Sequence, residues 1–219
     1  MQTTSRLITS TKSFVKLELK NAEGGHDWFH TERVYKNALL IAKTEPVDIL
    51  VVSLAALLHD IADSKFYDGD ETIGPKKAQT FLLNNDVDSK VIEHVTKIIE
   101  NMSFKNSFDL QSSFSSKEME VVQDADRLDA IGAIGIARSF NYGGFKDRGL
   151  YDPEIKPNLN MTKAEYKNSK APTINHFHEK LLLLKDQMNT KTGKRMALAR
   201  HKYMEGFLKQ FYAEWEGKK

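Results

Sequence analysis

The sequence predicts an all-α fold, a single-domain helical bundle over residues 1–219, and three observations carry that expectation. Only 12 of the 219 residues are Gly and 5 are Pro, so little interrupts long helices. The segment Ile49–Leu58 is apolar apart from Ser53, as a helix enclosed by several neighbours is. Between the helical patterns no run alternates as a half-buried strand does.

The elements follow in order. Ile8, Phe14, Val15, Leu17 and Leu19 outline a first helix that ends before Gly24 and Gly25. Asp27 caps a second, Trp28 to Lys43, whose apolar positions Val34, Ala38, Ile41 and Ala42 recur at three- and four-residue steps. Pro46 opens the third within its first turn, and the length of its apolar run together with Ala55 and Ala56 favours helix over buried strand. After a polar connection, Ser64 to Gly74, a helix opens at Pro75 with Ala78, Phe81 and Leu82 on one face and stops at Asn84 and Asn85. Ser89 to Met102 and Ser116 to Phe140 read as two more helices. Residues 141–172 carry Gly143, Gly144, Gly149, Pro153, Pro157 and Pro172 and read as a long irregular loop, with a short helix near Lys163 to Lys167. Thr173 to Met188 and Thr192 to Trp215 close the chain. On this reading the core of the functional site falls within about residues 26–140, with the loop and closing helices over 141–219.

Composition excludes several classes of function. Lys and Arg number 32 against 30 Asp and Glu, so the net charge of +2 offers no broad field for nucleic acid. With no Cys there is no disulfide, thiolate nucleophile or Cys-ligated metal, which leaves His and carboxylates as metal ligands. No segment approaches the roughly 20 apolar residues of a membrane span, and the N-terminus lacks the apolar core of a signal peptide. A cytoplasmic protein without membrane partners is the expectation, and the closing helices are compatible with a homodimer.

The chemistry concentrates at a few positions. The most apolar helix ends in His59 and Asp60, with Asp63 one turn beyond His59. Polar groups at the end of a buried segment are costly unless compensated, and a divalent cation held by both compensates them. A His–Asp pair that satisfies itself by hydrogen bonding is the competing arrangement. His30 lies early on the preceding helix, where a neighbouring helix brings it within reach of His59. The string VVQDADRLDAIGAIG then sets Asp124, Asp126 and Asp129 among apolar residues; a helical wheel puts Asp129 inside the apolar arc and the other two at its edges. Periodicity does not choose among the three.

A His, a His-Asp doublet and a distant Asp, all on helices, resemble the HD-domain metal-dependent phosphohydrolase superfamily. The strings HDWFHTERV, LLHDIADSKF, QDADRLDAIGAIGIAR and KLLLLKDQMNTKTGKRMALARH are similar to the bacterial branch that includes nucleoside triphosphate pyrophosphohydrolases, and they run through most of the chain. The resemblance implies metal ligands His30, His59, Asp60 and Asp126, the last because it occupies the family's Ala-Asp-Arg-Leu setting. It places at Asp63 the acid that handles the attacking water, against the simpler role of a cap or a partner for Lys65. Asp124 and Asp129 become candidates to orient the imidazoles. Some members of the superfamily hold two metals through extra His residues on the intervening helix. Here Met102 stands where this branch can place one, and His94 is alone, so a single metal is expected.

Phosphate handling needs cations. Arg33 lies one turn from His30, Lys65 follows the doublet, Lys76 opens a helix, and Arg127 follows Asp126. The mixed imidazole and carboxylate set suits Mn²⁺ first, with Fe²⁺, Co²⁺, Zn²⁺ and Mg²⁺ as alternatives. The resemblance thus implies a hydrolase that cuts a nucleoside triphosphate to monophosphate and pyrophosphate with a metal-activated water. The competing expectations are a 5′-nucleotidase or phosphodiesterase of the same fold, and a non-catalytic module that binds metal or nucleotide. His176, His178 and His201 read as structural or solvent-facing.

Overall fold

The computed structural model describes residues 2–20, 22, 25–62, 70, 72–102, 114–162, 165 and 169–219. The described residues form helices without strands: α1 (Gln2–Glu18), α2 (Trp28–Ala42), α3 (Ile49–Leu58), α4 (Ile73–Leu83), α5 (Ser89–Asn101), α6 (Lys117–Asp129), α7 (Gly132–Phe145), α8 (Thr173–Glu179), a 3-10 helix over Leu181–Gln187, and α9 (Lys191–Trp215). The chain divides into two compact units, residues 1–126 and 127–219.

In the first unit α3 is central, as its uniformly apolar sequence dictates. It packs against α1, α2 and α5, and α4 packs on α5. Leu54, Leu57 and Leu58 are fully buried, each worth about 2 kcal/mol of transfer free energy. The side chain of Asp48 accepts hydrogen bonds from the Leu50 and Val51 amides, which fixes the start of α3 at Ile49 and leaves the predicted opener, Pro46, in the preceding bend. Similarly α4 begins at Ile73, two residues before Pro75. A proline is tolerated there because first-turn amides have no intrahelical acceptor.

In the second unit α9 packs against α7 and the 3-10 helix, and α8 against both of those. Its core is mostly aliphatic, with Leu128, Ile174 and Met204 fully buried, and Phe177, also fully buried, stacks on the partly buried Phe207 at 5.9 Å. Two predicted helices are each broken. The helix expected over 116–140 ends at Asp129 and restarts at Gly132, which has a φ of +77° after extended Ile131. Two of the last carbonyls of α6 are met by arginines: Arg200 donates to Leu128 O, and Arg138 to Asp129 O at 3.2 Å. The restarted helix runs to Phe145, so the irregular segment begins five residues later than expected. The helix expected over 173–188 breaks at Lys180. Beyond it Leu181 and Leu184 are buried, a three-residue spacing that the 3-10 helix brings onto one row. The short helix expected near Lys163 to Lys167 falls almost wholly outside the described residues. No helix among the described residues is long and apolar enough to cross a membrane.

Candidate metal centre

The candidate centre is built from residues on or beside α2, α3 and α6, and these residues all lie within the first unit, residues 1–126. At the start of α2 the Asp27 side chain accepts the His30 amide at 2.8 Å, which locks the first turn and with it the His30 ring. At the other end of the apolar α3, His59 is the C-cap and Asp60 follows it in the turn. The third contribution is Asp126 on α6; Asn37 Nδ2 of α2 lies 3.5 Å from the carbonyl of the adjacent Ala125.

These residues converge. The His30 and His59 rings lie 5.5 Å apart, and Asp126 Oδ1 lies 3.4 Å from His30 Nε2 and 4.0 Å from His59 Nε2. The ligand atoms of His30, His59 and Asp126 all fall within 4.8 Å of one another, and so do those of His26, His30 and Asp60. His30 belongs to both groups. The His30 and His59 side chains are only 3% and 6% exposed, whereas that of Asp126 is 42% exposed, so the cluster opens toward solvent at the carboxylate.

The donor chemistry fits a cation better than a self-satisfied pair. His59 Nδ1 lies 2.9 Å from Ala56 O, and since a carbonyl only accepts, Nδ1 carries the proton and Nε2 presents its lone pair. The 3.4 and 4.0 Å separations are long for hydrogen bonds. Two ligands each about 2.1 Å from one ion stand roughly 3.0–3.4 Å apart, which the first separation meets and the second exceeds by about half an ångström.

Asp60 is differently engaged. Its Oδ2 lies 2.5 Å from His26 Nδ1. Burial alone would raise the Asp60 carboxyl, but the hydrogen bond with His26 and the fields of His26, His59 and His30 together hold it below the ordinary carboxylate range. His26 was missed in the sequence because it precedes the cap of α2, outside any helical periodicity. Its four-residue spacing from His30 is the signal that points to it.

The other expected site residues lie as follows. Arg33 is partly buried on α2, Lys76 is exposed in the first turn of α4, and Arg127 Nη1 donates to Gln187 O at 2.7 Å. Asp63 and Lys65 lie outside the described residues. Asp124 and Asp129 are both buried, and Asp129 pairs with Arg138. His94 Nε2 meets Ser116 Oγ at 2.9 Å and Glu118 Oε2 at 3.6 Å, and so fastens α5 to the start of α6.

An all-helical scaffold that gathers His, His-Asp and Asp at helix ends defines a class of hydrolases, and comparison with known proteins agrees. The HD domain family matches residues 28–131, from α2 through α6. The chain is 37% identical over 208 residues to YpgQ of Bacillus subtilis, covering 94% of this chain and 92% of that protein. An HD-superfamily hydrolase from Bacillus thuringiensis superposes with a TM-score of 0.78 at 43% identity, covering 97% of this chain and 98% of the other. The structure of Bacillus subtilis YpgQ in complex with ADP gives 0.77 at 33% identity, covering 97% and 96%. The chain belongs to the HD-domain family and is a metal-dependent hydrolase of the HD superfamily.

Proposed function

We propose that the protein hydrolyses nucleoside triphosphates to the monophosphate and pyrophosphate, using one divalent metal, Mn²⁺ first. The observation that carries the reading is the convergence of His30, His59 and Asp126 with the lone pair of His59 Nε2 directed by its Ala56 bond. The ADP bound to the related YpgQ supports a nucleotide as the small-molecule partner.

In this reading His30, His59, Asp60 and Asp126 hold the ion. When bound, it supplies a lowered pKa for water and neutralises charge on the phosphoryl oxygens. Asp63 accepts the proton of the attacking water. Arg33, Lys65, Lys76 and Arg127 bind the polyphosphate and stabilise charge spread over it in the transition state. Mixed imidazole and carboxylate ligation favours Mn²⁺ over Ca²⁺, while availability decides among the transition ions.

The test is a nucleotide panel incubated with the protein and Mn²⁺, Mg²⁺, Co²⁺ or Zn²⁺, the products separated by chromatography. Pyrophosphate with monophosphate is the expected outcome. Inorganic phosphate released from monophosphates would reassign the protein as a 5′-nucleotidase. Opening of cyclic nucleotides would make it a phosphodiesterase. Nucleotide binding in a thermal-shift assay without any product would make it a binding module.

A further inference from the structure

We infer that His26 is a positioning residue of the metal centre: it holds the Asp60 carboxylate in place through Nδ1 and is not itself a ligand. This rests on the metal-site reading given under Proposed function. The 2.5 Å between His26 Nδ1 and Asp60 Oδ2 leaves room for a proton and none for an ion, since two ligands of one ion stand about 3 Å apart. Asp60 Oδ2 is thereby committed to His26, and Oδ1 is the oxygen that remains to serve as ligand.

The backbone makes His26 a firm anchor. It directly precedes Asp27, whose carboxylate caps the His30 amide at 2.8 Å and whose carbonyl accepts the Thr31 amide at 3.2 Å. The turn that orients His30 therefore orients His26 as well, and the two rings sit edge to face at 5.8 Å. One cap thus sets a ligand directly and a second ligand at one remove. Residues that orient ligands in this way change metal affinity by about 10–100-fold when removed, without changing the number of ions bound.

The experiment is Mn²⁺ titration by calorimetry of the full chain and of His26→Ala, His26→Asn and His59→Ala, with circular dichroism as the control for folding. An Asn amide nitrogen occupies nearly the place of His Nδ1 and can donate to the same oxygen. His26→Ala is expected to bind one Mn²⁺ about 10–100-fold more weakly, and His26→Asn to recover most of that loss. Unchanged affinity in His26→Ala overturns the positioning role while the metal centre stands. Loss in both His26 variants as deep as in His59→Ala overturns it in favour of direct ligation. A full chain that takes up no Mn²⁺ overturns the metal reading itself, and the role of His26 with it.

Discussion

Arg138 closes back on Asp129 from nine residues along the chain, its Nη1 2.7 Å from Oδ2 and 3.2 Å from the Asp129 carbonyl. Asp129 is 1% exposed, so the arginine compensates a buried charge and caps the end of α6 at once. Arg138→Leu is expected to cost about 3 kcal/mol, read as a lower midpoint in urea denaturation. The double variant Arg138→Leu with Asp129→Leu should regain part of this, because the buried carboxylate is gone, while Arg200 loses the same counter-charge and limits the recovery.

Gly132 makes the break between α6 and α7 sterically allowed. Its φ of +77° disfavours any L side chain, and a Cβ there would lie 3.0 Å from Cβ and Cγ of Arg200. Gly132→Ala should therefore destabilise by about 1–3 kcal/mol. Gly149→Ala, which has open space and no such φ, should change the urea midpoint little.

These two devices explain what the sequence could and could not disclose. The central place of α3 was legible because eight consecutive residues, Val51 to Leu58, are buried and all but Ser53 are apolar. The nearness of His30 to His59 was legible because both sit at ends of strongly patterned helices. The break at Gly132 was not, since the apolar wheel continues across it. What stabilises the break comes from Arg138 and Arg200, and Arg200 lies 72 residues from the carbonyl it serves. Nor could periodicity rank the three aspartates. Asp129 inside the apolar arc is paired with Arg138, and Asp126 at its edge faces the imidazoles from the more exposed position. His26 acts from outside a helix, where no wheel reaches.

A pH effect on stability follows from His176. Burial, and then the charges of Lys180 and Arg148, push this imidazole down to about 4 from an ordinary 6.5. As pH falls from about 6.5 to about 4 the unfolded chain takes up a proton that the folded chain refuses, so stability drops across that window and levels off below it. The loss is on the order of 2 kcal/mol after allowing for the ring's partial exposure. His176→Gln should flatten this part of the profile, as urea midpoints at pH 7, 5.5 and 4.5 would reveal. An unchanged slope would assign the dependence to other groups.

Binding and chemistry at the metal centre separate by substitution. Asp126→Ala removes an oxygen that lies within reach of both imidazoles, and should weaken Mn²⁺ binding more than about 100-fold, with catalysis lost in parallel. Adding Mn²⁺ in excess should restore part of its activity, because the defect is one of occupancy. Asp63→Asn keeps the four proposed ligands and removes the proposed proton acceptor. It should bind Mn²⁺ as the unaltered chain does while kcat falls by about 10²–10⁴-fold, and no amount of metal should recover it. Calorimetry beside a pyrophosphate-release assay distinguishes the two. Undiminished turnover in Asp63→Asn would move proton transfer to another residue, and undiminished metal binding in Asp126→Ala would remove that carboxylate from the ligand set.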